Sequence, residues 1–292
     1  MSLQEIILLV LKISIFLNVF AIGLTAGPQD VTYMLRRPGE LARALLSMNV
    51  LMPLFTVAMV TIFDLNPAVK IALVALSVSP IPPLLPKRTM KAGGVDPYAI
   101  GLLVTVGVLA ILFVPLAMEI LQRVFGVPLQ MTVGAVAFLI LRTVLLPLGL
   151  GIAVHHFWTA PAKRLARPVS QIGTVGLLLA VIPILFTAVP QILSLIGNGT
   201  IVSLAAFVAF GLAIGHWLGG PLPKNRTTLA YSTASRHPGT ALALARANFP
   251  EQKLAMAAVL LYLLINIIAS LAYYFGSKRH HRPAEASEKK AA

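Results

Sequence analysis

The 292-residue chain contains no cysteine and little charge: Asp, Glu, Lys and Arg make up 11% of it, and only 9 residues are acidic. Without thiols there can be no disulfides, thiolate metal sites, iron–sulfur clusters or cysteine nucleophiles, and the redox compartment is unreadable. The scarcity of charge excludes a soluble domain, in which about 25% of residues are charged and about 45–50% apolar. Here 58% are hydrophobic. At about 20 apolar residues per bilayer crossing, the length accommodates about nine or ten membrane helices and no separate aqueous domain.

Apolar stretches run over residues 5–26, 40–63, 67–86, 97–125, 128–156, 169–196, 201–218, 227–247 and 251–275. These nine segments predict an all-α polytopic membrane protein. Pro67, Pro97 and Pro128 open three of them, where a missing N–H costs little and a fixed φ suits the first turn. The first segment is too long for a signal peptide, is interrupted by Lys12 and precedes a basic loop with Arg36, Arg37 and Arg43. It therefore reads as a retained helix.

Lys and Arg number 23, and the net charge is +14. With the loop after the first segment taken as cytoplasmic, 16 of the 23 cations fall on that side, 5 fall opposite, and Arg142 and Arg236 lie within the membrane. The basic excess thus reports insertion topology rather than a nucleic-acid partner. It predicts an external N-terminus and a cytoplasmic C-terminus. One membrane domain over 1–276 and a disordered, charged cytoplasmic tail over 277–292 follow, with the His280-His281 pair solvated.

Two segments contain what membrane helices avoid. The third carries Ser79-Pro80-Ile81-Pro82-Pro83-Leu84-Leu85-Pro86, whose four prolines remove four N–H donors. The eighth carries Ser235-Arg236-His237-Pro238-Gly239, a helix breaker beside two ionisable groups at bilayer depth. Unwound backbone there must be buried in protein or line an aqueous cavity. The charge count runs the third segment inward and the eighth outward, which is the inverted-repeat pattern of secondary transporters. The repeats span about 5–125 and 128–276.

The chain resembles the bile acid:sodium symporter family. The resemblance rests on Ala21-Ile22-Gly23-Leu24-Thr25 with Arg36-Arg37-Pro38, on Leu51-Met52-Pro53-Leu54, on the run Leu145-Leu146-Pro147-Leu148-Gly149-Leu150-Gly151, and on the two interrupted segments. It implies inverted repeats with two discontinuous crossing helices, a first repeat lacking its opening helix, and core and panel subdomains. The core would comprise the second, third, fourth, seventh, eighth and ninth helices. The first, fifth and sixth would form the panel, and transport would be alternating access by an elevator-like or rocking movement. A multi-pass protein of a bacterial inner membrane is the implied setting, with lipid and a small organic anion as partners, no cofactor, and an oligomeric state left open that includes the monomer.

Sodium-coupled members of that family carry a Gly-Gly and Ser-Asn signature at the first break, and an acid followed by Gln-Asn at the second. Here the first falls on Pro82-Pro83 and Leu85-Pro86, the acid on Ser232, and the Gln-Asn pair on Arg236-His237. Sodium needs clustered oxygens, and an arginine in their place repels it. All nine acids lie at expected helix ends, in loops or in the tail. Conventional sodium coupling is therefore expected to be absent, leaving uniport or a proton-linked cycle; the sodium-dependent symporter is the alternative.

The candidate substrate-binding residues are Ser232, Ser235, Arg236, His237, Pro238, Gly239 and Thr240 at the second break, Pro82 and Pro83 at the first, and Asn18, Asn49 and Asn266 within other segments. A cationic site with apolar walls suits a carboxylate or sulfonate. Arg236 is either a ligand clamp or a strut that bonds open backbone carbonyls in place of sodium. His237 is either a proton carrier or a neutral hydrogen-bonding group. Arg142 is read as a structural intramembrane charge, and no metal site is expected. A reading of another class, an intramembrane hydrolase using Ser232, Ser235 and His237, lacks an orienting carboxylate. His155-His156 before Phe157-Trp158 reads as an interfacial anchor, and Asn198-Gly199-Thr200 matches a glycosylation sequon.

Overall fold

The computed structural model describes residues 2–127 and 132–291, exclusive of the side chains of residues 277–291. Among the described residues all regular structure is helical. Seven helices are long and apolar enough to cross a membrane. They are α1 (Leu3–Gly23), α3 (Pro38–Ile62), α6 (Asp96–Phe125), α7 (Val133–Phe157), α8 (Thr159–Ser194), α9 (Thr200–Leu218) and α12 (Leu254–Ala291). A one-turn α2 (Pro28–Val31) links the first two. The remaining two segments are each divided: α4 (Pro67–Val78) and α5 (Leu85–Lys91), then α10 (Pro223–Ala234) and α11 (Pro238–Asn248).

Local chemistry explains most boundaries. Ser2 caps α1 in a reciprocal box with Glu5. Asn66 accepts from the Ala68 N–H ahead of Pro67 at the start of α4. Single prolines do not stop a long apolar helix, since Pro115 lies inside α6 and Pro168, Pro183 and Pro190 inside α8. The cluster after Val78 does. The sixth segment begins about ten residues earlier than its hydropathy suggests, because α8 starts at Thr159. The Ala, Lys and Arg residues between 160 and 167 favour helix although the three charges lower the hydropathy, so Lys163, Arg164 and Arg167 sit on a helix rather than in a loop. Pro128 lies outside the described residues, as do the side chains of the tail expected to be disordered, while the backbone of 277–291 continues α12.

The helices pack in two groups. One consists of α1, α7 and α8, which lie against one another. Here Gly23 of α1 and Gly151 of α7 cross so closely that a Cβ on either would strike backbone, while Gly173 and Gly176 of α8 face Asn18 and Ser14 of α1. Two small apolar clusters belong mainly to this group, one around Val19, Ile22 and Leu148 and one around Leu24, Ala162 and Ala166. The other group gathers α3, α4, α5, α6, α9, α10, α11 and α12 around one large core, to which Val136, Ile140 and Val144 of α7 and Ile192 of α8 also contribute where α7 packs on α6 and α8 on α12. Within it, Gly211, Gly215 and Gly219 form a stripe along α9 on which α10 rests: a Cβ at 215 would lie 2.6 Å from the Leu229 carbonyl oxygen and 2.7 Å from Ala230 Cα. Only glycine permits that approach, and it fixes the height at which α10 ends and the second break begins. Outward faces carry large apolar side chains such as Phe138, Leu179, Phe186 and Trp217, as lipid contact requires.

Candidate functional site

The two breaks meet in the interior of the larger group. Residues 79–84 and 235–237 are non-helical, and the His237 N–H donates to the Pro80 carbonyl at 2.8 Å across the gap. Each break exposes backbone carbonyls for a reason readable in the chain. A helical carbonyl accepts from the N–H four residues on, or five in a π-turn. For Ser79 the donor four residues on is Pro83, and for Ala234 it is Pro238, and proline has no N–H. In α3 the chain passes through a π-turn over Leu46–Leu51, where Met52 N–H reaches back to Ser47. The next donor in that register is Pro53, so the Met48 carbonyl is open as well.

Side chains fill these three openings. Arg236 donates from one terminal nitrogen to the Ser79 carbonyl at 3.2 Å and from the other to the Met48 carbonyl at 2.8 Å, so one guanidinium ties the second break to the first and to α3. The Ala234 carbonyl accepts from the Tyr262 hydroxyl at 2.8 Å and the Asn266 amide at 3.0 Å, both on α12. Tyr262 also accepts the Arg236 backbone N–H at 2.7 Å. Arg236 is 2% exposed. Among the described residues, no carboxylate hydrogen-bonds to either break.

Four polar atoms around the second break are buried and have no protein partner: Ser235 Oγ, Arg236 Nε, His237 Nε2 and Thr240 Oγ1. Buried polar groups are rarely left so. His237 caps α11, its Nδ1 accepting from the Thr240 N–H at 3.1 Å. An accepting Nδ1 places the proton of the neutral ring on Nε2. Arg Nε and His Nε2 are then both donors, at the N-terminal end of an 11-residue helix whose dipole adds partial positive charge. Gly239 makes the cap possible, because a Cβ there would lie 2.9 Å from His237 Cε1. The arrangement offers hydrogen bonds to an acceptor.

The other sequence-derived candidates are dispersed. Pro83 is buried and Pro82 half-buried in the first break, and Pro238 is half-buried at the start of α11. Ser232 is buried but donates within its own helix to Thr228, and Ser235 makes no hydrogen bond to His237, so the hydrolytic set does not assemble. Asn266 is buried with both amide ends engaged by protein, to Ala234 and Arg88. Asn49 is half-buried in the π-turn of α3. Asn18 lies in the other packing group, fully buried on α1. Arg142 is exposed in a second π-turn, over Leu141–Leu145. His155 fastens α7 to α1, its Nδ1 lying 2.8 Å from the Leu24 carbonyl. Two cavities, of about 550 and 310 Å³, lie at the far end of α11 around Ala245 and Phe249 and include neither Arg236 nor His237.

Tyr262, Arg88 and Lys87 are absent from the sequence-derived set, although all three contact the candidates. Stepping back four residues from each proline would have flagged the carbonyls of Ser79 and Ala234. No comparable signal marks Tyr262 as their partner.

No curated protein matches the chain. A family model described as the sodium bile acid symporter family matches residues 12–195, which contain the first break and end before the second. Apolar spans, a proline-opened backbone and this match agree, and the chain belongs to the sodium bile acid symporter family of multi-pass membrane transporters.

Proposed function

We propose that the protein carries a small organic anion across the membrane by alternating access, without conventional sodium coupling, as a uniporter or in a proton-linked cycle. The observation that carries this reading is the donor-rich second break, where Arg236 Nε and His237 Nε2 are buried without protein partners beside the hydroxyls of Ser235 and Thr240. Such a site favours a carboxylate or sulfonate, because hydrogen bonds between ionised donors and acceptors are roughly twice as strong as neutral ones. It disfavours a bare cation, which needs oxygens that are free to coordinate. The open carbonyls that would supply them at Ser79 and Met48 are already held by the guanidinium.

The close packing of α1 on α7 and α8, tighter than that of the trio on the other helices, supports a panel against which a core moves. The antiparallel course inferred for the two broken segments supports inverted repeats, with the N-terminus outside and the C-terminus in the cytoplasm. Purified protein in proteoliposomes should take up at least one anion selected by thermal-shift screening of small organic acids, at equal rates in sodium and choline buffers. Stoichiometric dependence on sodium would restore the symporter reading. Collapse of the pH gradient by a protonophore separates uniport, which continues, from proton linkage, which slows.

A further inference from the structure

Lys87 and Arg88 are consecutive on α5 and reach toward different packing groups. Arg88 donates to Asn266 Oδ1 at 3.2 Å, and the Asn266 amide holds the Ala234 carbonyl, so Arg88 is tied to the second break. The Lys87 ammonium instead donates to Asn18 Oδ1 on α1 and to Ser170 Oγ on α8. Through it the first broken segment bonds to both α1 and α8 of the smaller group.

Its seat is built for the purpose. Asn18 is fully buried, its Nδ2 donating to the Ser14 carbonyl at 2.8 Å, while its Oδ1 also accepts from Thr174 Oγ1 at 3.2 Å. Gly173 gives the amide its room, since a Cβ there would lie 2.9 Å from Asn18 Nδ2. Yet the ammonium is half-buried on neutral acceptors alone. The ion pairs among the described residues are Arg37–Glu40, Lys70–Asp64 and Arg123–Glu119, and Lys91, one turn on, adds like charge. A partly desolvated cation with no counter-charge gains more from an anion than from an amide and a hydroxyl.

We propose that Lys87 receives the anionic group of the transported solute at the boundary between the two packing groups, exchanging Asn18 and Ser170 for it and so releasing α5 from α1 and α8. The proposal rests on the organic-anion reading above and assigns to that solute a second cationic contact, beyond the second break. Solute binding and the release of α5 from α1 and α8 are thereby one event, because the same three N–H donors serve both.

The absence of native cysteine allows spin labels to be placed at Gly39→Cys and Thr159→Cys, exposed positions on α3 and α8. Binding of benzoate, hexanoate, naphthalene-2-sulfonate and taurocholate to the full chain is measured together with the label-to-label distance by electron–electron resonance. The wild type is expected to bind at least one of these anions and to change its distance distribution on binding. Lys87→Gln should weaken that binding by about tenfold or more, the loss of one charge-assisted contact, and show an altered distribution without anion. Lys87→Arg should restore both. Asn18→Asp places a fixed carboxylate on the ammonium, and should weaken anion binding comparably while holding the anion-free distribution. It serves as the second measurement where Lys87→Gln does not fold. Unchanged affinity in Lys87→Gln or in Asn18→Asp overturns the proposal. Failure of the wild type to bind any of the four overturns the organic-anion reading itself, which distinguishes the two failures.

Discussion

Replacing Arg236 by Met tests whether the guanidinium holds the crossing together. Met keeps much of the apolar volume and removes the two bonds that reach the Ser79 and Met48 carbonyls at 3.2 and 2.8 Å. The i+4 donor for Ser79 is Pro83 and the i+5 donor for Met48 is Pro53, so neither carbonyl is paired within its own backbone in the observed register. Leaving a buried acceptor unpaired costs about 1–3 kcal/mol, so two cost about 2–6 kcal/mol. Part of this is returned, since a buried cation no longer has to be desolvated, and a net loss of about 2–4 kcal/mol remains. At about 2–4 °C per kcal/mol for a chain of this order of size, the Tm in detergent should fall by about 5–15 °C. Arg236→Lys, which presents a compact ammonium rather than a fork, should fall between the two. Scanning fluorimetry on monodisperse protein reads the result. A Tm for Arg236→Met within about 2 °C of wild type would refute the strut reasoning; loss of anion binding in that stable variant would leave Arg236 as a ligand clamp alone.

Other perturbations separate the remaining parts. Gly215→Val should cost about 1–3 kcal/mol or more by overpacking, since the atoms in its way are the Leu229 carbonyl and Ala230 Cα, and should appear as a lower Tm and poorer monodispersity. Tyr262→Phe leaves the Arg236 N–H without its acceptor while Asn266 still serves the Ala234 carbonyl, so a loss of about 1–3 kcal/mol is expected in the same assay. His237→Asn retains an N-cap acceptor and should lose anion affinity with little change in Tm, whereas His237→Ala should lose affinity and about 1 kcal/mol of stability. Replacing sodium by choline should leave uptake unchanged in rate and extent.

Much of the architecture is legible in the sequence, for specific reasons. Apolar runs set the long helices because lipid demands them, and the chain opens at the four prolines in 80–86 and where Pro238 follows Arg236 and His237 and precedes Gly239. Helix ends were less legible where polar residues are themselves good helix formers, as in the first two turns of α8. The candidate residues at the second break were found because Arg and His at bilayer depth are conspicuous. Their partners were not, since Ser79 and Met48 act through backbone oxygens and Tyr262 is an ordinary residue of an apolar helix. Lys87 was not singled out, for a different reason. A lysine near a helix end counts toward the basic inner loops, and only the packing of α5 against its neighbours turns it toward Asn18.

The same prolines that open the crossing also constrain what can drive transport through it. An ion gradient does work only if an ion binds on one side, travels and leaves on the other. Open carbonyls at the meeting of two broken helices are what a dissociable cation would use, and here a guanidinium covalently attached to the chain satisfies them. In the proposed cycle its charge would move with the protein and return with it, and so would draw nothing from an ion gradient. What it does provide is a fixed positive potential in a low-dielectric interior, where an unneutralised charge is costly. An anion that shares this charge lowers that cost in every conformation that keeps it close, and leaves the cost in place when it departs. On this reading the solute itself takes the part of the coupling ion, which accounts for a crossing rich in donors and, among the described residues, without a carboxylate bonded to it.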